Sequence, residues 1–215
     1  MTVERQFNFV AVAGNIGAGK STLTEMLATR FGWQPFYEAH AENPYLAKFY
    51  KNMRRWSFHS QVFFLAKRLE HHRLLADYPG SVIQDRTVYE DAQVFARNLY
   101  KQGNMKKRDW KTYWSLYQAV SAFLPHPNVI VYLKASVDTL MSHIAQRGRA
   151  YEAEIPRKYV AQLNAQYDKW INTWTRCPVV VVNMDVVDFQ HDPAQFDVVC
   201  EDIQQALHPG MVPLL

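Results

Sequence analysis

Short apolar runs rich in β-branched residues alternate along the chain with longer segments whose apolar residues recur at helical spacing. This alternation predicts strands separated by helices, as in βα units wound around a parallel sheet. The predicted strands are Phe7 to Ala13, Trp33 to Glu38, Ser81 to Asp85, Asn128 to Lys134 and Pro178 to Met184. The pattern therefore predicts an α/β fold with a five-stranded parallel sheet flanked by helices.

Start and stop residues divide the segments between these strands into helices. Asn43-Pro44 supplies an N-cap followed by proline at the first helical position, which predicts one long helix that continues toward Asp77. Further helices are predicted over about Lys20 to Phe31, Tyr89 to Tyr100, Arg108 to Phe123, Ser136 to Gln146, Pro156 to Trp174 and Pro193 to Leu207. The sequence contains no internal repeat and no linker, so residues 1–215 are expected to form one domain.

A glycine-rich segment follows the first predicted strand directly. It fits the P-loop pattern G-x-x-x-x-G-K-[ST], in which backbone N–H groups and the N-terminus of the next helix surround a phosphate chain. Lys20 is expected to meet the β- and γ-phosphates, and the Ser21 hydroxyl to bind Mg²⁺. The candidate phosphate-binding residues of this segment are Gly14, Asn15, Gly17, Ala18, Gly19, Lys20, Ser21 and Thr22.

Charged residues end two of the predicted strands, and ligands of open parallel sheets bind beyond such ends. Asp85 ends a largely apolar strand, so it is either a Mg²⁺ ligand or an ordinary strand-end carboxylate. Arg86 could offset charge on a transferred phosphoryl group or form a structural ion pair. Glu38 could accept the proton of a hydroxyl acceptor, or it could be a solvated surface charge.

Three polar residues of the long predicted helix share one face. Tyr50, Gln61 and Arg68 are separated by eleven and seven residues, close to three turns and two turns of an α-helix. A polar face beside an apolar one is usually a solvent-exposed surface. The combination of tyrosine, glutamine and arginine also suits a pocket that binds a sugar and a base.

Two arginines flank Gly148 after the helix predicted to end at Gln146. The segment over about residues 147–155 has two interpretations. Gly148 and the neighbouring cations suit a helix C-terminus, and Arg147 and Arg149 equally suit a mobile lid that closes over a triphosphate.

Helical spacing also places several aromatic and imidazole side chains. Adjacent residues of a helix diverge, so His71 and His72 are expected on an exposed surface rather than as a metal-binding pair. The helically spaced aromatic residues are expected in the core or at a dimer face. They are Trp110, Tyr113, Trp114 and Tyr117.

Composition narrows the class of protein. The chain has 215 residues, of which 48% are hydrophobic, enough for one sizeable core. It lacks an apolar run of membrane-spanning length, and residues 1–6 lack the features of a signal peptide, so a cytoplasmic location without membrane attachment is expected. Cys177 and Cys200 are expected to be buried thiols. A polyanionic small ligand explains the net charge of +4, and no nucleic-acid polymer is expected as a partner.

Taken together, the motifs resemble those of the deoxynucleoside kinase family, most closely its bacterial deoxyadenosine/deoxycytidine and deoxyguanosine kinases. The matching segments are Gly14-Asn15-Ile16-Gly17, Asn43-Pro44-Tyr45-Leu46, Arg55-Trp56-Ser57-Phe58, Asp85-Arg86-Thr87 and Arg147-Gly148-Arg149. The resemblance implies a P-loop kinase fold with a short arginine-rich lid. It also implies transfer of the γ-phosphoryl group of ATP to the 5′-hydroxyl of a deoxynucleoside with Mg²⁺, and a homodimer.

The resemblance assigns a role to each candidate residue. Glu38 would be the base for the 5′-hydroxyl, with Arg86 near that hydroxyl and Asp85 on the metal. The remaining assignments are Tyr50 and Glu152 at the sugar 3′-hydroxyl, Gln61 at the base edge, Arg68 and Asp91 framing the base against thymidine, and Phe95 near the base. In the reaction that these motifs predict together, Lys20, Arg86, Arg147 and Arg149 are expected around the transferred phosphoryl group.

Three positions depart from the family pattern. Many members have Glu-Pro where this chain has Glu38-Ala39, and eukaryotic members often have glutamate at the position of Asp85. His143 stands where family lids often carry an arginine that grips ATP, so the chain would present a shorter imidazole there.

Two other functions fit parts of the sequence. A nucleoside monophosphate kinase of the thymidylate kinase type shares the P-loop, but Glu38 would repel its phosphorylated acceptor. A nucleotide-dependent switch would need no base-reading residues, and the sequence has no Asn-Lys-x-Asp motif for guanine. Adenine, cytosine and guanine all remain open as the preferred base.

Overall fold

The computed structural model describes residues 7–38 and 42–209. Its five strands form one parallel sheet in the order β2-β3-β1-β4-β5. The strands are β1 (Phe9–Gly14), β2 (Gln34–Phe36), β3 (Val82–Asp85), β4 (Val129–Lys134) and β5 (Val179–Asn183). The predicted α/β architecture is confirmed. The edge strand β2 is shorter than predicted because it pairs only with β3, through Gln34–Phe36.

Helices cover both faces of this sheet and connect its strands. They are α1 (Lys20–Phe31), α2 (Leu46–Lys51), α3 (Met53–Ala76), α4 (Val88–Glu90), α5 (Arg97–Lys101), α6 (Lys107–Ser121), α7 (Val137–Arg147), α8 (Arg157–Asn172) and α9 (Pro193–Leu207). A π-helical segment, Asp91–Ala96, joins α4 to α5, and a 3₁₀ turn, Ala150–Glu152, follows α7. Most predicted helices are confirmed within a few residues.

The long helix predicted to start at Asn43 is instead two helices. Asn43 Oδ1 accepts a hydrogen bond from the Tyr45 backbone N–H at 3.0 Å, near the start of α2. Asn52 then leaves the helical conformation, with φ −148° and ψ 81°, and its side chain accepts from the Arg55 N–H at 3.1 Å. The prediction was wrong because Asn52 acts as the N-cap of a second helix inside a continuous helical pattern.

The segment predicted as a single α-helix over Tyr89 to Tyr100 contains a π-helical stretch, Asp91–Ala96. Such stretches are rare and occur often at functional sites. Here the stretch directly follows the carboxyl end of β3 and its neighbour α4. It therefore adjoins the edge of the sheet where ligands of parallel sheets bind.

The expectation that His71 and His72 lie on an exposed surface was wrong, because His72 is buried. Its side chain is 1% exposed and its ring packs edge-on against Phe9, with ring centroids 5.9 Å apart. Burial lowers the pKa of His72 to about 4, so the ring is neutral at pH 7. His71 is half-buried.

Other side chains follow the predicted core more closely. Tyr113 and Tyr117 are buried in the hydrophobic core, while Trp110 and Trp114 are partly buried against it. Cys200 is a buried free thiol and Cys177 a half-buried one. No helix within the described ranges is long and apolar enough to cross a bilayer.

Candidate active site

The glycine-rich loop lies between β1 and α1 and is held there by close backbone packing. Gly17 has φ 83°, and a Cβ at this position would lie 2.8 Å from the Leu140 carbonyl oxygen of α7. Asn15 fixes the loop from the other side, because its side-chain amide donates to Val160 O at 3.0 Å and to Asn164 Oδ1 at 2.6 Å. The Asn15 side chain therefore binds α8, and only its backbone is available to a phosphate.

Lys20 is the first residue of α1 and is 7% exposed. Its ammonium donates to the Asn15 carbonyl oxygen at 3.0 Å. Burial and the nearby Arg86 lower the pKa of Lys20 to about 8, although the carboxylates of Asp85 and Glu38 oppose this shift. A bound polyphosphate would favour the charged form.

Ser21 and Asp85 meet across the start of α1 and the end of β3. The Ser21 hydroxyl donates to Asp85 Oδ2 at 2.5 Å. Asp85 Oδ1 is buried and has no hydrogen-bond partner within residues 7–38 and 42–209. A hydroxyl oxygen beside a carboxylate with one unused oxygen is a donor set that fits Mg²⁺.

Glu38 lies beside two buried arginines, two residues beyond the end of β2. Its Oε1 is 3.2 Å from Arg86 Nε and 3.7 Å from Arg68 Nη2, and its side chain is 19% exposed. Arg68 also forms an ion pair with Asp91, with Nε 2.9 Å from Oδ2, and donates to the Asp85 carbonyl oxygen. Ala39, the residue that departs from Glu-Pro, lies outside the described residues.

Arg86 has an unusual backbone conformation. Its φ of 67° makes it the one non-glycine residue with positive φ in the part of the chain that the structure describes. Its guanidinium carbon lies 4.1 Å above the centre of the Phe95 ring, and its N–H donates to Val12 O at 3.0 Å. Left-handed backbone at a non-glycine residue costs free energy and is found often at functional sites.

The residues after α7 fold over the same region. Gly148 ends the helix with φ 64°, as the C-terminus interpretation predicts. Arg147 donates to the Glu152 carboxylate, from Nε to Oε2 at 3.0 Å and from Nη2 to both Oε1 and Oε2 at 2.7 Å. Arg149 Nη1 lies 3.6 Å from Glu152 Oε1.

One cavity of about 230 Å³ unites most of the predicted site residues. Those that line it are Gly17, Gly19, Lys20, Ser21, Thr22, Glu38, Tyr50, Gln61, Arg86, Asp91, Phe95, Arg147, Arg149 and Glu152. Tyr50 and Gln61 both reach the cavity, but from α2 and α3 rather than from one helix. The predicted polar face is not exposed to solvent, because Gln61 and Arg68 are only 3% and 2% exposed.

Comparisons with known proteins identify the family of this chain. The sequence model of the family described as deoxynucleoside kinase matches residues 10–208. The chain belongs to the deoxynucleoside kinase family.

Relatives and solved structures resemble this kinase over nearly its whole length. It is 37% identical to the deoxyadenosine/deoxycytidine kinase of Bacillus subtilis (strain 168) over 94% of each chain. It is 31% identical to the deoxyguanosine kinase of the same organism, over 93% of this chain and 97% of the relative. A solved structure of deoxyadenosine kinase from M. mycoides, described with products dCMP and a flexible dCDP bound, superposes with a TM-score of 0.81 at 29% identity, covering 92% of this chain and 99% of that one.

Family membership confirms that the chain is a kinase of deoxynucleosides with the P-loop fold. The two rival functions, a monophosphate kinase and a switch without catalysis, are not supported by these relatives. The kinase also contains site residues that sequence analysis did not identify.

Several predicted residues of the kinase lie around the cavity rather than in its wall. Arg68 and Asp85 stand behind it, where they contact Glu38 and Ser21 respectively. His143 Nδ1 lies 2.9 Å from the Gly17 carbonyl oxygen, which can only accept a hydrogen bond, so Nδ1 carries the proton. His143 thus binds the P-loop itself.

One missed residue that contacts the P-loop is Glu90, at the end of α4. It is fully buried, and its Oε1 accepts from the Gly14 N–H at 3.2 Å and from the Tyr167 hydroxyl at 2.5 Å. Its Oε2 lies 3.3 Å from the Thr87 N–H, and the Thr87 hydroxyl accepts from the Glu90 N–H, completing a capping box. The Thr-x-x-Glu spacing was visible in the sequence, but a capping box gives no indication of contact with the P-loop.

Other missed residues are apolar or aromatic and looked like ordinary core positions. They are Ile16, Leu46, Phe49, Phe64, Tyr151 and Tyr159, together with the small polar Ser60.

Proposed function

We propose that this kinase transfers the γ-phosphoryl group of ATP to the 5′-hydroxyl of a deoxynucleoside, with Glu38 as the general base. The observation that carries this proposal is the placement of Glu38 in one cavity with Lys20, fixed by its ion pair with Arg86. A carboxylate within reach of a bound hydroxyl can take its proton as the phosphoryl group arrives. A phosphorylated acceptor would instead be repelled by this carboxylate.

Binding residues for the donor surround the other end of the cavity. The P-loop backbone, Lys20 and Thr22 would hold the phosphates, and Arg86, Arg147 and Arg149 would stabilise charge on the transferred group. A solved M. mycoides deoxyadenosine kinase, TM-score 0.79 and 28% identical, is described with bound dATP, which supports nucleotide binding in this fold. In this arrangement the segment 147–155 acts as the lid.

Ser21 and Asp85 would hold Mg²⁺ on the donor phosphates. The metal would neutralise phosphate charge in the reaction. Because Asp85 Oδ1 is buried and has no partner among the described residues, metal binding would also satisfy this atom.

The base pocket favours deoxyadenosine, deoxycytidine or deoxyguanosine over thymidine. Asp91 lines the cavity and is fixed by Arg68, so its carboxylate can accept a hydrogen bond from an exocyclic amino group. Adenine, cytosine and guanine carry such a group, and thymine does not. Gln61 Oε1, buried without a hydrogen-bond partner in the described chain, can accept a second hydrogen bond from the base edge. Tyr50 and Glu152 would bind the 3′-hydroxyl.

The kinase is further proposed to be one domain spanning 1–215, a cytoplasmic enzyme and a homodimer, with no nucleic-acid polymer or membrane as partner. The half-buried Trp110 and Trp114 on α6 are compatible with a dimer face. Sedimentation velocity would test the dimer.

A phosphorylation assay over the four deoxynucleosides at matched concentration, with ATP and Mg²⁺, tests the proposed reaction. We expect turnover with at least one of the three amino-bearing nucleosides and far less with thymidine. The matched deoxynucleoside monophosphates are the control acceptors. Faster turnover with a monophosphate than with its nucleoside would contradict the proposal.

A further inference from the structure

Several carbonyl oxygens of the P-loop accept hydrogen bonds, which fix the direction of their peptide groups. The acceptors and their hydrogen-bond donors are Gly14 O with the Tyr167 hydroxyl, Asn15 O with the Lys20 ammonium and the Ala18 N–H, Gly17 O with the His143 ring, and Gly19 O with the Leu23 N–H. A loop that binds phosphate points its N–H groups at the anion, so its carbonyl oxygens must face away. A peptide group that turned over would place partial negative charge beside the phosphates. Groups that bind these carbonyl oxygens therefore keep the loop able to bind an anion.

His143 binds one of these oxygens from α7. Its Nδ1 lies 2.9 Å from the Gly17 carbonyl oxygen, and Gly17 lines the active-site cavity. Among the described residues, His143 itself is not part of the cavity wall. The imidazole therefore contacts the P-loop from outside the cavity.

Helix α7 packs directly on Gly17 around this hydrogen bond. A Cβ at Gly17 would lie 2.8 Å from the Leu140 carbonyl oxygen and 3.0 Å from Ile144 Cγ1. Leu140 and Ile144 are buried, and residues at positions 140, 143 and 144 share one face of a helix. Because these apolar neighbours are packed in the core, the His143 ring is held beside the Gly17 oxygen.

The same face of α7 carries an arginine of the lid. Arg147 is the last residue of α7, about one turn beyond His143, and it lines the cavity. The backbone hydrogen bonds of a helix fix the spacing of residues one turn apart. The contact between His143 and Gly17 therefore also sets the position of Arg147 relative to the P-loop.

We propose that His143 is a positioning residue for phosphoryl transfer. Its Nδ1–H keeps the Gly17 carbonyl oxygen turned away from the ATP phosphates and holds Arg147 at its distance from them. This inference rests on the proposed binding of the ATP phosphates by the P-loop. The role differs from the direct contact with ATP that the family resemblance implies for an arginine at this position, because His143 acts through Gly17 and Arg147.

Three substitutions of His143 separate these two roles. In His143→Asn the side-chain amide nitrogen takes the place of Nδ1, so the hydrogen bond to Gly17 can still form. In His143→Gln the amide nitrogen lies one bond further out, near the place of Nε2, and His143→Leu has no hydrogen-bond donor. Gln146→Leu is the matched control, because Gln146 is an exposed residue of the same helix.

Calorimetric titration measures the Kd for MgATP, and that for whichever of deoxyadenosine, deoxycytidine and deoxyguanosine the wild type phosphorylates fastest. We expect the Kd for MgATP to rise at least about fivefold in His143→Leu and His143→Gln, because the Gly17 oxygen loses its partner. In His143→Asn and Gln146→Leu it should stay within about twofold of wild type. The Kd for the nucleoside should change less than about twofold in all four variants, whereas general damage to the fold would weaken both ligands.

The comparison of variants can overturn the inference in three ways. Equal Kd values for MgATP in His143→Asn and His143→Leu would do so, as would wild-type affinity in His143→Leu. Affinity retained in His143→Gln but lost in His143→Asn would show instead that the outer ring nitrogen contacts ATP directly. A wild-type kinase that does not bind MgATP would overturn the proposed function as well, whereas the other outcomes leave that proposal intact.

Nitrogen NMR of the His143 ring in the wild-type kinase tests the hydrogen bond without any variant having to fold. We expect Nδ1 to carry a hydrogen, because the Gly17 carbonyl oxygen can only accept. A ring with a bare Nδ1 and its hydrogen on Nε2 could not donate to Gly17. That result would overturn the proposed role of His143.

Discussion

Glu38 depends on its neighbours rather than on its own strand for its position. It lies beyond the last residue of β2, and the guanidinium of Arg86 holds Oε1 at 3.2 Å. Arg86 is itself fixed in a left-handed conformation and stacked on Phe95. Arg86, supported by the Phe95 ring, thus fixes this carboxylate, which is the pre-organisation that a general base needs.

Replacing Glu38 by glutamine keeps the shape of the side chain and removes its basicity. We expect turnover to fall roughly 100-fold or more, with ATP affinity nearly unchanged, because general-base catalysis contributes on that scale. Steady-state kinetics and ATP titration check this. Glu42→Gln is the matched control, since Glu42 is an exposed carboxylate paired with Lys67. Near-wild-type turnover of Glu38→Gln would remove Glu38 from the mechanism.

Burial of Lys20 makes both the stability of the kinase and its affinity for ATP depend on pH. Its pKa of about 8 lies below the ordinary 10.5, so between these values the folded protein holds fewer protons at this site than the unfolded chain. The Lys20 contribution to the free energy of unfolding therefore rises with pH across that window. The affinity for ATP is expected to fall as the pH rises, because the phosphates bind the ammonium form of Lys20.

We expect the Kd for MgATP to increase above pH 8, approaching about tenfold per pH unit, with proton uptake on binding. Calorimetry in buffers of different ionisation enthalpy measures both quantities. Lys20→Met should bind weakly, and its affinity should not change with pH over this range. A wild-type slope equal to that of Lys20→Met would show that another group titrates.

At the scale of elements, the P-loop is held by helices distant in sequence. Asn15 ties it to α8, Gly17 packs against α7, and Glu90 ties Gly14 to α4. Of these contacts, we expect the one with α4 to contribute most to stability, because Glu90 is fully buried and Tyr167 of α8 also donates to it.

Glu90→Ala leaves the Gly14 N–H and the Tyr167 hydroxyl buried with fewer partners. We expect it to lower the free energy of unfolding by about 2–4 kcal/mol, on the scale of 1–3 kcal/mol for each unsatisfied buried group. Glu90→Gln keeps an acceptor and a donor in the same volume and should lose less than half as much. Urea unfolding of both variants measures the difference. Equal losses in the two variants would mean that side-chain volume, not hydrogen bonding, determines the effect.

At the scale of the whole molecule, the sequence predicted the sheet and its active edge because strand pattern and P-loop spacing are local features. It could not predict the Asn52 break, since a good helix N-cap interrupted an otherwise continuous helical pattern. It also missed Glu90 and Tyr159, which look like a cap and a core ring until the fold brings them to the loop and the cavity. Local patterns predict elements, whereas contacts between distant elements build the site.

The ion pair between Arg68 and Asp91 is one such contact between distant elements, and the prediction on base choice concerns these two residues. Arg68 comes from α3 and Asp91 from the π-helical segment, and both are nearly fully buried. Removing one alone would leave a buried charge uncompensated and destabilise the fold. The test therefore replaces both, as Arg68→Met with Asp91→Ala.

The double variant loses the carboxylate that would accept an amino group and gains space beside the base. We expect the ratio of kcat/KM for thymidine to that for deoxycytidine to rise at least about tenfold, because a lost hydrogen bond to the amino group penalises deoxycytidine. Kinetics with both nucleosides measure this ratio, and thermal unfolding confirms that the variant is folded. Arg68→Met alone, with its unpaired Asp91, should unfold at lower temperature than the double variant. If the folded double variant discriminates against thymidine as strongly as wild type, base choice is determined elsewhere in the cavity, and Gln61 and Phe95 become the residues to replace.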